Sequence, residues 1–508
     1  MAIRILAAKC VGIDAVKVLV EVDITQGIGV HLVGLPDAAV KESLLRTFTA
    51  MESMGFHVPG KKIVINLAPA DLHKIGSGYD LPIAVGILAA SGRVSADRAG
   101  EFLIMGELGL DGQVRAIPGG LLFGELAEKE GCCGAILPQD CAREATSFCK
   151  LPVYGVRDLS DVLRILENPE LSDGLICTEE SISPVGEKKI PDFSDIIGQQ
   201  GAKRGVEIAA AGAHNLIMVG APGAGKSSLA KAIAGILPPM STEEARLTGK
   251  IWSISGKGDG TVASIRPFRS PHYSASIAAL IGGGSGEAVL PGEVSLAHNG
   301  VLFLDEFGQM SRSSIESLRA PMEDKRVTIS RLRSTMDYPA SFMLVAASNP
   351  CPCGYWGEGD RCNCTPAQRL AYLSKLSGPI LDRIDIHLWL HSVDTSRIFC
   401  ENKAESSAAV RARVCAAREI QRKRFEGSGI HTNAEMDNRQ TESFCPLDQD
   451  CRSTMLKLME QLQLSMRAYY RTVRVARTIA DLEGADKIRP EHLLEASGLR
   501  FLDKLVRY

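Results

Sequence analysis

The sequence predicts an α/β protein with more than one domain, and three observations carry that prediction. First, residues 195–390 alternate short apolar strands with helical stretches, the pattern of a mainly parallel sheet covered by helices. Second, an apolar strand, LIMVG, runs straight into GAPGAGKS and then a helical pattern over 214–236. Third, residues 391–508 lack strand patterns and carry helical stretches such as VRARVCAAREIQRKRF (410–425) and RTVRVARTIADLEG (471–484). A chain of 508 residues is too long for a single core.

In chain order, residues 1–167 read as a mixed α/β domain. KVLVEVDI (17–24) and VHLVGL (30–35) alternate as strands, Asp37 caps a helix to about Met54, and KIVINLAP (62–69) is the next strand. LPIAVGILAASG (81–92) is apolar on every face and predicts a buried helix ending at Gly92. EFLIMGELGLDGQV (101–114) predicts a hairpin turning at Asp111-Gly112, and GAILP (134–138) is expected to close the domain as a strand. Residues 168–194, rich in acidic, Ser and Pro residues, read as a linker. An α/β core over 195–390 and an all-α domain over 391–508 complete the expectation.

Bulk properties exclude some functions. Hydrophobic and charged contents of 45% and 23% are those of an ordinary globular protein. A net charge of −3 argues against coating nucleic acid through overall positive charge, yet leaves a local basic patch open. No apolar run approaches the roughly 20 residues needed to span a bilayer, and the N-terminus has no leader pattern, so a cytoplasmic location is expected. The fourteen cysteines are then expected as free thiols unless their spacing says otherwise.

The glycine-rich run Gly220, Ala221, Pro222, Gly223, Ala224, Gly225, Lys226, Ser227 and Ser228 has the form of a phosphate-binding loop. Its glycines let backbone N–H groups turn in around phosphate oxygens. The helix N-terminus adds partial positive charge, Lys226 meets the β and γ phosphates of ATP, and the Ser227 hydroxyl ligates Mg2+. GVLFLDEF (300–307) supplies a second half-site, with Asp305 expected to hold Mg2+ and Glu306 to polarise the attacking water. The strand SFMLVAASN (341–349) ends at Asn349, whose amide is placed to orient that water or read the γ-phosphate. Directly behind it, Cys351, Cys353, Cys362 and Cys364 form C-x-C-x8-C-x-C, a candidate Zn2+ clasp, with reduced thiols and redox sensing as the alternatives.

The order of P-loop, LFLDE and strand-terminal Asn resembles an AAA+ ATPase. HNGVLFLDE, RPFRSPH (266–272) and GPILDRIDIH (378–387) resemble its magnesium-chelatase-like branch. With VGLPDAAVKES (33–43) and APADLHKIGSGYDLPIA (68–84), essentially the whole chain resembles the ComM/YifB family. The resemblance implies a homo-oligomeric ring, usually a hexamer, with ATP between neighbours. It makes Arg383 the arginine finger acting in trans, against the plainer reading of a salt bridge to Asp382 or Asp385. It implies a second sensor arginine at Arg467, with Arg474 in reserve. It also implies two insertions facing a central pore: the segment 266–286, and a hairpin over 324–339 carrying Lys325, Arg326, Arg331 and Arg333 as candidate DNA contacts.

Residues 62–138 resemble the Lon protease domain without its chemistry. Asp80 or Tyr79 stands where the serine nucleophile belongs, and Leu121 and Leu122 stand where the lysine belongs, so the resemblance implies a Lon-protease-like fold that does not cleave peptides. The function the resemblance implies is a Mg-ATP-driven motor on single-stranded or branched DNA, a branch-migration helicase of transformation or recombination. A chelatase- or MoxR-like ATPase remodelling a protein partner, and an ATP-dependent scaffold, are the rivals.

Overall fold

The computed structural model describes residues 2–167, 172–178, 190–258, 265–284, 289–331, 334–374, 378–392 and 405–505. The N-terminal part is built on a sheet of seven strands. β1 (Ile3–Val11) pairs antiparallel with β2 (Asp14–Thr25), and β3 (Gly29–Val33) lies at the edge beside β4 (Lys62–Ala68). The crossover from β3 to β4 is the helix Ala38–Ser53, whose N-cap Asp37 accepts from Val40 N at 2.7 Å. The helix Asp80–Ala90 is buried from end to end, as its uninterrupted apolar sequence demands.

The expected hairpin over 101–114 divides in two. Phe102–Ile104 becomes β5, a central strand parallel to β1 and to β8 (Gly134–Pro138). Only β6 (Glu107–Leu108) turns back, through Gly112, on β7 (Val114–Arg115). All three residues of β5 are buried, and a continuously apolar run suits a strand covered on both faces better than a two-sided ribbon. Nor does GAILP end the sheet, because β9 (Val153–Val156) pairs parallel outside β8.

The Asp80 carboxylate, at one of the two positions where the Lon resemblance expects a serine nucleophile, is fully buried. It accepts from Arg46 Nε at 2.9 Å, Arg46 Nη2 at 3.1 Å and Leu108 N at 3.1 Å. Tyr79 is buried beside it, and Leu121 and Leu122 pack with Ile254 of the next domain. Lys74 is buried and its pKa lowered by desolvation, but its Nζ donates to the Pro69 carbonyl. Ser77, three residues before Asp80 in the chain, donates to Glu107.

A second sheet carries the strand order β11–β14–β17–β10–β18 and is parallel throughout. Its strands are β10 (Leu216–Gly220), β11 (Phe268–Arg269), β14 (Val301–Leu304), β17 (Met343–Ser348) and β18 (Ile386–Leu390). Between them run two ribbons, β12 (Gly282–Gly283) with β13 (Leu290–Pro291), and β15 (Arg326–Arg331) with β16 (Ser334–Pro339). The segment 266–286 therefore begins inside the core rather than as an inserted loop. Phe268 stacks on Phe303, Arg266 is ion-paired to Glu244, and Arg269 is held by both oxygens of Glu293.

Residues 405–505 are helical, and the helices Ser407–Arg424 and Met466–Leu482 share one apolar core with the helices Gln200–Gly212 and Lys226–Ile236. Of the expected linker, only 172–178 and 190–194 lie within the described residues. Phe193 is buried there, and Asp192 accepts from Ser407 N at 3.1 Å. The N-terminal domain docks on the helix Thr242–Ser255: Gly119 N and Leu121 N donate to the Ser253 carbonyl and hydroxyl at 3.0 and 3.3 Å, and Glu125 pairs with Arg246 and Lys250. No helix among the described residues is long and apolar enough to cross a membrane.

Asp80→Ser restores a serine at the nucleophile position yet leaves the Arg46 guanidinium without its counter-charge. The variant is expected to lose about 3 kcal/mol of stability, read as a lower urea midpoint, and to release no fragments from a casein substrate.

Candidate nucleotide site

Three strands of the parallel sheet end together and bring their terminal residues to one place. β10 closes at Gly220, where a Cβ would meet the Leu390 carbonyl oxygen at 2.3 Å, so the close approach of β18 requires glycine. In the loop beyond, Gly223 and Gly225 have φ of 78° and 90°, left-handed values that turn the backbone, and the space beside both is open. Ala221 and Ala224 are buried under the loop, whereas Pro222, Gly223 and Ser228 are exposed. The helix Lys226–Ile236 then starts with its free N–H groups directed at that space.

Lys226 is buried, and desolvation lowers its pKa against the pull of Asp305. Its Nζ donates to the carbonyls of Gly220 at 2.6 Å and Ala221 at 2.9 Å and to Asn349 Oδ1 at 3.3 Å. A buried ammonium satisfied mainly by backbone carbonyls gains by meeting a phosphate instead. The Ser227 hydroxyl donates to Asp305 Oδ2 at 2.7 Å. This pair of hard oxygens at a helix N-terminus fits Mg2+, which when bound neutralises charge on the transferring phosphoryl group. Asp305 Oδ1 accepts from Glu306 N at 2.9 Å. Glu306 itself is exposed and held at φ 50°, uncommon for a residue with a side chain, which turns its carboxylate off the strand axis.

The sheet register separates the predicted arginines from this cluster. Leu216 pairs with Ile386 at one end of β10 and β18, and Gly220 pairs with Leu390 at the other. Arg383 precedes β18 and so lies a full strand away from the phosphate loop of its own chain. It is only 8% exposed and is ion-paired to Glu323, not to Asp382 or Asp385. Asp385 is committed to Arg471 and His214. Arg467, in the first turn of its helix, is exposed and lies 3.7 Å from Asp382, beside Arg383 and away from Lys226. Arg474 is largely buried and donates to the Ala434 carbonyl at 3.4 Å.

The hairpin corrects one expectation. Lys325 is not on its exposed face: it caps the helix Arg319–Asp324 at φ 55°. Its ammonium is turned inward, where burial lowers its pKa and Glu435, Asp385 and Arg471 are the charges around it. The two-residue period of β15 buries Val327 and Ile329 and leaves Arg326, Thr328 and Ser330 outward. Arg331 ends β15, with its side chain outside the described residues, and Arg333 lies outside them altogether.

The four cysteines do come together, with all four Sγ atoms within 4.8 Å of one another. Sequence reasoning overlooked two neighbours of the nucleotide site. Gln199 Nε2 donates to the carbonyls of Ala224 at 3.2 Å and His391 at 2.6 Å, pinning the phosphate loop to the end of β18. Tyr372 lies near Ser348 and Glu306, and burial raises its pKa. The GQ pair at 198–199 was the only available signal for the first, and an unpatterned tyrosine gave none for the second.

A parallel five-stranded sheet with a phosphate loop after its inner strand β10, an acidic pair after β14, a strand-terminal Asn and a helical C-terminal domain defines a P-loop ATPase of the AAA+ class. Family models described as magnesium chelatase, subunit ChlI, match residues 192–398; subunit ChlI of Mg-chelatase, residues 20–141; and the ChlI C-terminal domain, residues 404–500. Over 97% of its length the chain is 42% identical to the protein YifB of Salmonella typhimurium, covering 96% of that protein. It is 40% identical to the competence protein ComM of Haemophilus influenzae over 98% of this chain and 97% of that one. It is 28% identical to the magnesium-chelatase 67 kDa subunit of Chlorobaculum parvum over 31% of this chain and 23% of that subunit. The chain belongs to the ComM/YifB family of magnesium-chelatase-like AAA+ ATPases.

Lys226→Ala removes the ammonium that reaches the loop carbonyls and is expected to weaken ATP binding by roughly 10- to 100-fold, the cost of a hydrogen bond to a charged group, measured with a fluorescent ATP analogue. Glu306→Gln is expected to keep that affinity while turnover falls by about 100-fold or more.

Proposed function

We propose that this ATPase is a ring-forming motor that moves on DNA, acting in the cytoplasm as a branch-migration helicase of transformation or recombination. The observation that carries the ATP-hydrolysing half is the convergence of Lys226, Ser227, Asp305 and Asn349 at one end of the sheet. Asp305 and Ser227 hold the cation site, Lys226 draws charge from the phosphates, and Glu306 takes the proton of the attacking water.

The ring half is supported by the placement of Arg383 and Arg467. Both lie at the opposite end of the sheet from the phosphate loop of their own chain, so the triphosphate they serve belongs to a neighbour. Arg383 would exchange its bond to Glu323 for that phosphate on assembly. The DNA half is supported by the family and by the outward face of β15. There Arg326, repeated around a ring, gathers positive charge that the acidic monomer lacks. The relative named a competence protein agrees with a DNA substrate.

An ATPase assay with single-stranded, forked and four-way-junction DNA tests this reading. Turnover is expected to rise with branched or single-stranded DNA and to lose that stimulation steeply as salt is raised. Indifference to every DNA, with no binding at low salt, would replace the DNA motor by a remodeller of a protein partner. Arg383→Ala is expected to bind ATP normally and to lose about 1,000-fold in turnover; unchanged turnover in the assembled protein removes its trans role.

A further inference from the structure

We propose that Cys351, Cys353, Cys362 and Cys364 bind one zinc ion as a tetrathiolate, and that the closed clasp positions the phosphate loop and Asn349 for nucleotide binding. The metal half stands on its own geometry, whereas the positioning half rests on the nucleotide reading above.

The sulfur positions match the ion. Zn–S bonds of about 2.3 Å in a tetrahedron set neighbouring sulfurs about 3.8 Å apart. The observed separations are 3.3 Å for Cys351–Cys353, 3.8 Å for Cys351–Cys362 and 3.6 Å for Cys353–Cys362, with Cys364 inside the same 4.8 Å cluster. These distances are far longer than a disulfide bond of about 2.05 Å. Four soft sulfur ligands with no carboxylate among them favour zinc over magnesium or calcium. The set is closed, leaving no position for a catalytic water, so its role is structural.

The loop it closes lies against two walls of the nucleotide site, the phosphate loop and Asn349. Cys351 is buried two residues after Asn349, so fixing its sulfur fixes the chain that carries the amide. At Gly354, in the left-handed conformation at φ 84°, a Cβ would come within 2.9 Å of Cδ and Cγ of Pro222 and 3.9 Å of the Asn349 side chain. The clasp therefore lies directly against the phosphate loop. On its far side Gly357 packs on Trp389, Trp356 meets Trp389 edge-on at 5.5 Å between ring centroids, and Glu358 accepts from Ser392 N at 2.9 Å. Between Cys351 and Cys364 the only regular structure is the single turn Gly359–Arg361. These few contacts leave much of the loop's entropy to be removed by another tether, and the four sulfurs supply it through the ion.

The test uses the full chain under reducing conditions. Elemental analysis is expected to give about one zinc per chain, and cobalt reconstitution the absorption bands of a tetrahedral thiolate complex. Chelator-stripped protein should retain its far-UV circular dichroism but change its tryptophan emission, because Trp356 and Trp389 sit on the clasp. It should bind a fluorescent ATP analogue several-fold more weakly and turn over about 100-fold more slowly, with all three recovered on adding zinc. Cys353→Ser and Cys362→Ser should reproduce the stripped state and fail to recover. Absence of zinc together with no cobalt–thiolate bands overturns the metal site. Stripping that leaves emission and nucleotide affinity unchanged overturns the positioning role. A zinc-loaded chain that binds no ATP overturns the nucleotide reading and with it the positioning role, while the metal site stands.

Discussion

The parallel register of β10 between β17 and β18 is the constraint on which the functional geometry depends. Because all the strands of this sheet run the same way, every loop that leaves a strand's C-terminal end reaches the same edge, and every loop that enters reaches the other. Lys226, Asp305 and Asn349 follow strands, and Arg383 precedes one. The phosphate loop and Arg383 thus stand at opposite edges of the sheet. That division suits the ring proposed above, in which a nucleotide shared between neighbours would make catalysis contingent on assembly.

Two buried carboxylates of the described residues near this sheet, Asp385 and Asp481, are neutralised by internal partners. Burial pushes the Asp385 pKa up, but Arg471 and His214 outweigh it and hold the carboxylate well below its ordinary range. Asp481 is ion-paired to both Arg424 and Arg477. These pairs tie the helical domain to itself and to the segment that enters β18. Much of the basic helix at 466–482 is spent in this way, and only Arg467 among its named arginines stays well exposed.

The N-terminal domain follows the same economy. Asp80 is a buried carboxylate paired to Arg46, and Leu121 and Leu122 make an aliphatic contact with the helix Thr242–Ser255. The face that carries these two leucines is the docking surface of the N-terminal domain on the ATPase core. Its ion pairs, Glu125 with Arg246 and Lys250, couple that helix to the domain above it.

The sequence alone determined the elements whose signals are local. The phosphate loop, the acidic pair, the capped helix at 38–53 and the apolar helix expected over 81–92 were legible because each needs particular residues at adjacent positions. The cysteine spacing announced a cluster but could not say that four sulfurs converge, since that depends on how Gly354 and Gly357 fold the loop onto Pro222 and Trp389. Only the tertiary structure decided that Phe102–Ile104 joins the main sheet, that Phe268–Arg269 is a core strand, and that Lys325 turns inward among Glu435 and Asp385. It alone placed Arg383 and Arg467 together, 84 residues apart in the chain (467 − 383), at the edge away from Lys226. The reason is physical: a residue's type records what it can do, but which partner it meets is set by strand order and register, which arise from contacts between segments far apart in sequence.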